Sequence, residues 1–247
     1  MNGVRSTPIV AVFGSSVRAT LNPAEALGEA VAATDCILLT GGGRQPNQGS
    51  VKEKAMVGAR ASEGRGRRAA RVGVLGVEST RVRIEVTDSQ VILEPNLGHG
   101  RNYVNAAMCD VAVGFPGGHG TDSEVAFALA LGRPVVLVGD AWDTSFPRGE
   151  DQSARDALVA SARKRVKATG GTALDALVNR AYADLLVRPV RVERLRLDHP
   201  PGEVAATARN LTKAVGLHGG IPTLADRPDL AELARKYADW LTRFTRG

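Results

Sequence analysis

Three short apolar runs in this chain each stop at a glycine-rich turn. Residues 8–13 (PIVAVF) run into Gly14-Ser15-Ser16, and residues 36–40 (CILLT) into Gly41-Gly42-Gly43. Residues 111–115 (VAVGF) run into Pro116-Gly117-Gly118-His119-Gly120-Thr121. Runs that are apolar throughout, and do not alternate, fit strands buried on both faces, as in parallel sheets. Three such strands in one parallel sheet would place all three turns along one edge. Glycine there permits positive φ and lets backbone N–H groups approach a ligand closely. A helix that starts at such a turn adds a partial positive charge, so a phosphate is the natural guest. Glycine totals 28 of 247 residues, above the usual ~7%, and these clusters account for part of the excess.

The segments between the runs have helical character. Asn22 as N-cap, Pro23 as first helical residue and Glu25 in the first turn predict a helix over 22–33. Further helices are expected over 50–61, 102–109 and 122–131, and further strands over 71–77, 90–93 and 134–138. The expected fold class is α/β, a Rossmann-like doubly wound parallel sheet, with a nucleotide-binding core over residues 1–140. Ligands of such sheets bind beyond the carboxyl ends of the strands.

Residues 141–247 are expected to form a helical extension packed on the same domain. A polar loop over 140–152 leads to helical spacing over 154–167 and 172–186. The alternation of 187–195, with Pro189, suits a late edge strand, and a helix is expected over 203–215. Residues 228–244 carry Leu230, Leu233, Ala234, Tyr237, Trp240, Leu241 and Phe244 on one stripe. That stripe is a docking face for the domain or for a second subunit.

Several classes are disfavoured. No apolar run approaches the ~20 residues of a membrane span, and the first residues lack the apolar stretch of a secretory signal, so a cytoplasmic location with no membrane partner is expected. Cys36 and Cys109 lie in apolar segments without C-x-x-C spacing, which predicts buried reduced thiols and neither a disulfide nor a zinc site. The net charge is +6, and Arg60, Arg65, Arg67, Arg68, Arg71, Arg81 and Arg83 lie close in sequence. No recognition helix, aromatic RNA-binding motif or zinc finger accompanies them. Nucleic acid is therefore not the expected partner, and a small anion needs only one or two of these charges. Neither G-x-G-x-x-G nor G-x-x-x-x-G-K-[ST] occurs, which disfavours a hydride-transfer dehydrogenase or a P-loop NTPase. G-x-S-x-G is also absent. The histidines at 99, 119, 199 and 218 lack metal-ligand spacing, although His99 and His119 flank the expected site. No metal or redox cofactor is expected.

Residues 116–124, PGGHGTDSE, resemble the PGGxGTxxE signature of the LOG-like family, whose members are often described as lysine decarboxylase-like. Its typical members are cytokinin riboside 5′-monophosphate phosphoribohydrolases. Val12-Phe13-Gly14-Ser15-Ser16 resembles the family's first-strand turn. Gly41-Gly42-Gly43 with Gly49 and Val51 resembles its GGGxxGLMGxV loop, and Gly100-Arg101-Asn102 its Arg-Lys pair. The resemblance covers residues 8–139. It implies binding of a nucleoside 5′-monophosphate or similar phosphorylated small molecule, a homodimer, and a catalytic pair at Arg101 and Glu124. The ligand contacts it implies are Gly14, Ser15, Ser16, Gly41, Gly42, Gly43, Asn102, Pro116, Gly117, Gly118, His119, Gly120 and Thr121.

The residues also suit the chemistry on their own terms. Glu124 falls about one turn into the helix after the glycines, near any phosphosugar held there. Arg101 can hold a phosphate or carboxylate bidentately. Cleaving an N-glycosidic bond needs an anchored phosphate, a carboxylate that activates water or stabilises the ribosyl cation, and help for the leaving base. The chain departs from the hydrolases at Pro46-Asn47-Gln48-Gly49 and at Arg101-Asn102 with Asn105. The R-N-x-x-N arrangement is more similar to the molybdenum cofactor carrier branch, whose members bind a phosphorylated pterin. Hydrolysis and carriage therefore stand as alternatives, with a nucleotide-sensing or DNA-associated module behind them.

Overall fold

The computed structural model describes residues 7–15, 18–42, 49–63, 70–75, 90–93, 101–140, 142 and 192–215. The described strands are β1 (Ile9–Phe13), β2 (Ile37–Thr40), β3 (Arg71–Val74), β4 (Val91–Leu93), β5 (Val111–Gly114), β6 (Val135–Val138) and β7 (Val192–Leu195). The described helices are α1 (Arg18–Ala32), α2 (Val51–Ala61), α3 (Arg101–Met108), α4 (His119–Ala130) and α5 (Pro201–Val215). The strands form one sheet in the order β4-β3-β2-β1-β5-β6-β7, with every pairing parallel. The expected Rossmann-like doubly wound fold is what the chain adopts.

Strand order explains the shape of the edge. The sheet grows outward in both directions from the β1–β5 pair, so the topological switch lies between these two strands, where the crevice opens. Their register matches Phe13 to Gly114, which sets the Gly14 turn beside the Pro116-Gly117 turn.

Period-two alternation divides the strands between two cores. Val10, Val12, Leu38 and Val113 pack with Leu27, Val31, Val51, Ala55, Ala205 and Leu211, joining α1, α2 and α5 to one face. Ile9, Ala11, Phe13, Leu39 and Ala112 pack with Tyr103, Val125, Phe127 and Trp142, joining α3 and α4 to the other. Trp142, in the stretch expected as a polar loop, is buried and donates its indole N–H to the Gly114 carbonyl at 3.1 Å. Cys36 and Cys109 are buried, as expected, and neither is in a disulfide.

On the first face α1 and α2 approach until backbone touches backbone. A Cβ on Gly28 would overlap the Ala55 carbonyl, and one on Gly58 would overlap the Glu25 carbonyl. Ser50 caps α2, its hydroxyl accepting from the Glu53 N–H at 3.2 Å, as an S-x-x-E capping box does.

The starts of α1, α3 and α4 differ from expectation. α1 begins at Arg18, so Pro23 lies inside it and Asn22 is not its cap. The reason is burial: Thr20, Ala24, Leu27 and Val31 form a buried stripe that extends upstream of the proline. α3 begins at Arg101, which is thus its first residue and does not precede it. α4 begins at His119, directly after Gly118 as N-cap, so Glu124 lies deeper in the helix than its first turn.

β7 pairs with β6 as a parallel edge strand, and α5 packs onto the α1–α2 face. Within the expected extension, the helices over 154–167, 172–186 and 228–244, with Trp240, lie outside the described residues.

Candidate functional site

At the carboxyl edge, Gly14 lies against the start of α2. A Cβ there would sit 2.7 Å from the Val51 side chain, and the Ser15 carbonyl accepts from the Val51 N–H at 3.2 Å. Gly42 holds a left-handed φ of +63°, and the Thr40 hydroxyl accepts from its N–H at 3.0 Å. Ser16 and Gly43 lie outside the described residues, as does His99.

The third turn has a division of labour among its glycines. A Cβ on Gly117 would collide with the Thr121 side chain, and Thr121 is buried. Gly118 has φ −96°, accessible to any residue, and a Cβ on it would meet nothing within 4 Å. Its surface is exposed, and no side chain caps the helix there. The start of α4 therefore presents backbone toward open space next to Pro116.

Arg101 reaches from α3 across to β2 and β3. Its Nη1 donates to the Gly41 carbonyl and, at 2.8 Å, to the Val74 carbonyl. Burial lowers the guanidinium's proton affinity, and the Glu124 carboxylate partly restores it. Glu124 is 1% exposed, and its Oε1 accepts from the Asn105 amide at 2.8 Å. Asn102, expected among the ligand contacts, is also buried. Its amide nitrogen donates to the Ser123 hydroxyl at 2.8 Å and the Gly120 carbonyl at 3.3 Å. Both asparagines thus brace α3 against α4.

Lys52 was not among the candidates drawn from sequence. It is the second residue of α2, and its stem passes over Gly41: a Cβ on that glycine would sit 2.9 Å from Cδ and 3.1 Å from Nζ of Lys52, and 2.9 Å from Nη1 of Arg101. Gly41 is thus the seat of two cations at once. Burial and the neighbouring Arg101 charge lower the Lys52 pKa to about 8, against a smaller opposing pull from Glu124. One sequence signal could have found it. A lysine in the first turn of a helix opposes the helix dipole, and residues that break a local rule cluster at functional sites.

Arg71, counted with the basic run, is buried and paired to Glu63 at 2.8 Å, so it adds nothing to a surface patch. His199 lies within 3.1 Å of Glu203. Among the described residues no cluster of His, Cys, Asp and Glu has the form of a metal site, and no helix is long and apolar enough to cross a membrane.

A doubly wound sheet with glycine turns at its switch point and the PGGHGTDSE turn opening a helix defines a LOG-like α/β protein. Residues 7–168 match the model of the SLOG cluster4 family, and the chain belongs to that family. Among curated proteins there is no match to this chain. Among solved structures, the molybdenum cofactor carrier protein of Chlamydomonas reinhardtii is similar over 84% of this chain and 99% of its own, with 24% identity and a TM-score of 0.54. A second structure of a Chlamydomonas Moco carrier protein aligns with a TM-score of 0.51 over 85% of this chain and 99% of its own, also at 24% identity. The molybdenum cofactor binding protein of Rippkaea orientalis matches 66% of this chain and 96% of its own at 26% identity, with a TM-score of 0.46. The two Chlamydomonas likenesses show the shared fold.

Proposed function

We propose that this protein is a phosphoribohydrolase, which binds a nucleoside 5′-monophosphate at the carboxyl edge of its sheet and cleaves the N-glycosidic bond. The observation that carries the reading is the buried Glu124 carboxylate, fixed by Asn105 within electrostatic reach of Arg101 and Lys52. The start of α4, with Gly117 and Gly118 exposed and Gly120 half-buried, would hold the 5′-phosphate on backbone N–H groups and the helix dipole. Glu124 would stabilise the cationic ribosyl centre and polarise water. The water oxygen bonds to C1′ as the C1′–N bond breaks, and the water proton ends on the departing base. Arg101, anchored on the Gly41 and Val74 carbonyls, would hold an anionic group of the ligand. In solution the chain would act as a homodimer.

A second reading, carriage of a phosphorylated cofactor without turnover, draws support from Asn102 and Asn105. Both tie α3 to α4, an arrangement suited to holding a ligand still. The carrier function named for the Chlamydomonas proteins belongs to this reading.

Incubation of purified protein with AMP, CMP, GMP, UMP and N6-substituted AMPs, with base release followed by chromatography, separates the two. Hydrolysis predicts base release that Glu124→Gln abolishes. No release from any nucleotide, with a pterin chromophore copurifying, overturns the hydrolase in favour of the carrier.

A further inference from the structure

Lys52 and Arg101 place two cations at one glycine, on the β2 end of the edge. The Gly117–Thr121 turn lies at the β5 end, with β1 between them. Neighbouring strands are spaced about 4.8 Å apart, so the two places are roughly 10 Å apart along the edge. That exceeds the reach of one phosphate group.

Among the described residues the charge at the β2 end is not balanced by an ion pair. Arg101 Nη1 donates to carbonyls. Among the described residues no carboxylate lies within ion-pair distance of Lys52 or Arg101. Glu124 acts on both at longer range. Counted over the described residues, the pair therefore carries an excess of positive charge in a partly desolvated place, beside the N-terminus of α2. An anion from outside would relieve the repulsion between them.

We infer that Lys52 and Arg101 form a second anion seat, and that the ligand of this protein is a phosphorylated compound carrying another anionic group at its far end. This rests on the phosphate-binding reading above and narrows its ligand class. For a ribosyl 5′-phosphate, the far end is the base, so an acidic base is favoured over a neutral one. Lys52 is then a specificity-determining residue.

Nicotinate mononucleotide and nicotinamide mononucleotide test this, because they are nearly isosteric and differ by a carboxylate in place of an amide. Calorimetric titration of the full chain with each, at pH 7, should show the carboxylate compound binding about tenfold more tightly or better, as expected for one charge-assisted contact. Lys52→Met should erase the preference and Lys52→Arg should retain most of it, with circular dichroism confirming that both variants fold. Equal affinities in the native chain, with both compounds binding, overturn the second seat and leave the phosphate site standing. A preference that survives Lys52→Met overturns the role of Lys52. Failure of both mononucleotides and of ribose 5-phosphate to bind overturns the seat together with the reading beneath it.

Discussion

Asn105 on α3 donates its amide to the Glu124 carboxylate on α4 across 2.8 Å, and neither side chain has more than 1% of its surface exposed. The bond joins residues 19 positions apart and fixes a charge that burial alone would disfavour. Its strength is testable. Asn105→Ala should lower stability by about 1–3 kcal/mol, because the carboxylate loses a charge-assisted donor. Asn105→Asp should cost more at pH 7, since it sets two carboxylates face to face. A close carboxylate pair shares a proton, and its raised folded pKa makes stability fall as pH rises. The melting temperature of Asn105→Asp should therefore climb as pH drops from 7 toward 5, relative to that of Asn105→Ala. A flat difference between the two would show that the carboxyl groups do not meet.

The α1–α2 contact makes a second prediction. Gly28 and Gly58 each face a backbone carbonyl of the opposite helix, so an added Cβ must push the helices apart. In a helix surface position Gly→Ala stabilises by up to ~1 kcal/mol. Here Gly28→Ala and Gly58→Ala should instead destabilise by about 2 kcal/mol or more, as overpacking does. Urea unfolding of the two single variants and the double variant checks this. Relief of one clash by the other should make the double variant less unstable than the sum.

The sheet was legible because its strands are apolar on both faces. The runs 36–40 and 111–115 need no tertiary information to read as buried strands, and the glycine after each marks its end. Helix starts were harder. Asn22-Pro23 is a sound local signal for an N-terminus, yet α1 begins earlier because burying Thr20 outweighs the irregularity of an internal proline. Arg101 and Glu124 could be nominated from the turns they adjoin. Lys52 could not be placed by spacing, because its meaning comes from Gly41 and from Arg101, 49 positions further on, and only the packed edge brings these together. Asn102 reads as a ligand contact and Asn105 as part of the R-N-x-x-N resemblance, and the amide nitrogens of both serve the α3–α4 interface.

Gly117 and Gly118 are neighbours with different reasons for being glycine, and alanine separates them. Gly117→Ala must displace Thr121, so it should lower both stability and ribose 5-phosphate binding. Gly118→Ala meets no atom and needs no strained φ. At the N-cap position it should lose about 2–4 °C of melting temperature at most, since alanine caps less well than glycine. Its methyl group would nonetheless stand where a phosphate must approach the start of α4. Ribose 5-phosphate affinity should fall about tenfold, about 1.4 kcal/mol. Unchanged affinity in Gly118→Ala, measured by calorimetry, would move the phosphate away from this turn.

Lys52 should leave a pH signature in the free protein. Its folded pKa is lowered to about 8, against ~10.4 when unfolded. Below pH 8 it is charged in both states, and the folded state bears the repulsion from Arg101 and the loss of hydration. Between about 8 and 10.4 the unfolded chain binds more protons than the folded one, so this group makes stability rise with pH. Lys52→Met removes the charge while keeping much of the stem. It should therefore be more stable than the parent at pH 7, by about 1–2 kcal/mol once partial solvent access is allowed for. The gap should close as pH rises from about 8 toward 10.4. Parallel denaturant curves at pH 7, 8.5 and 10 measure it, and the parent–variant difference cancels the other lysines. An anion seated at Lys52 and Arg101 would reverse the order at pH 7, because the bound ligand stabilises only the chain that retains the lysine.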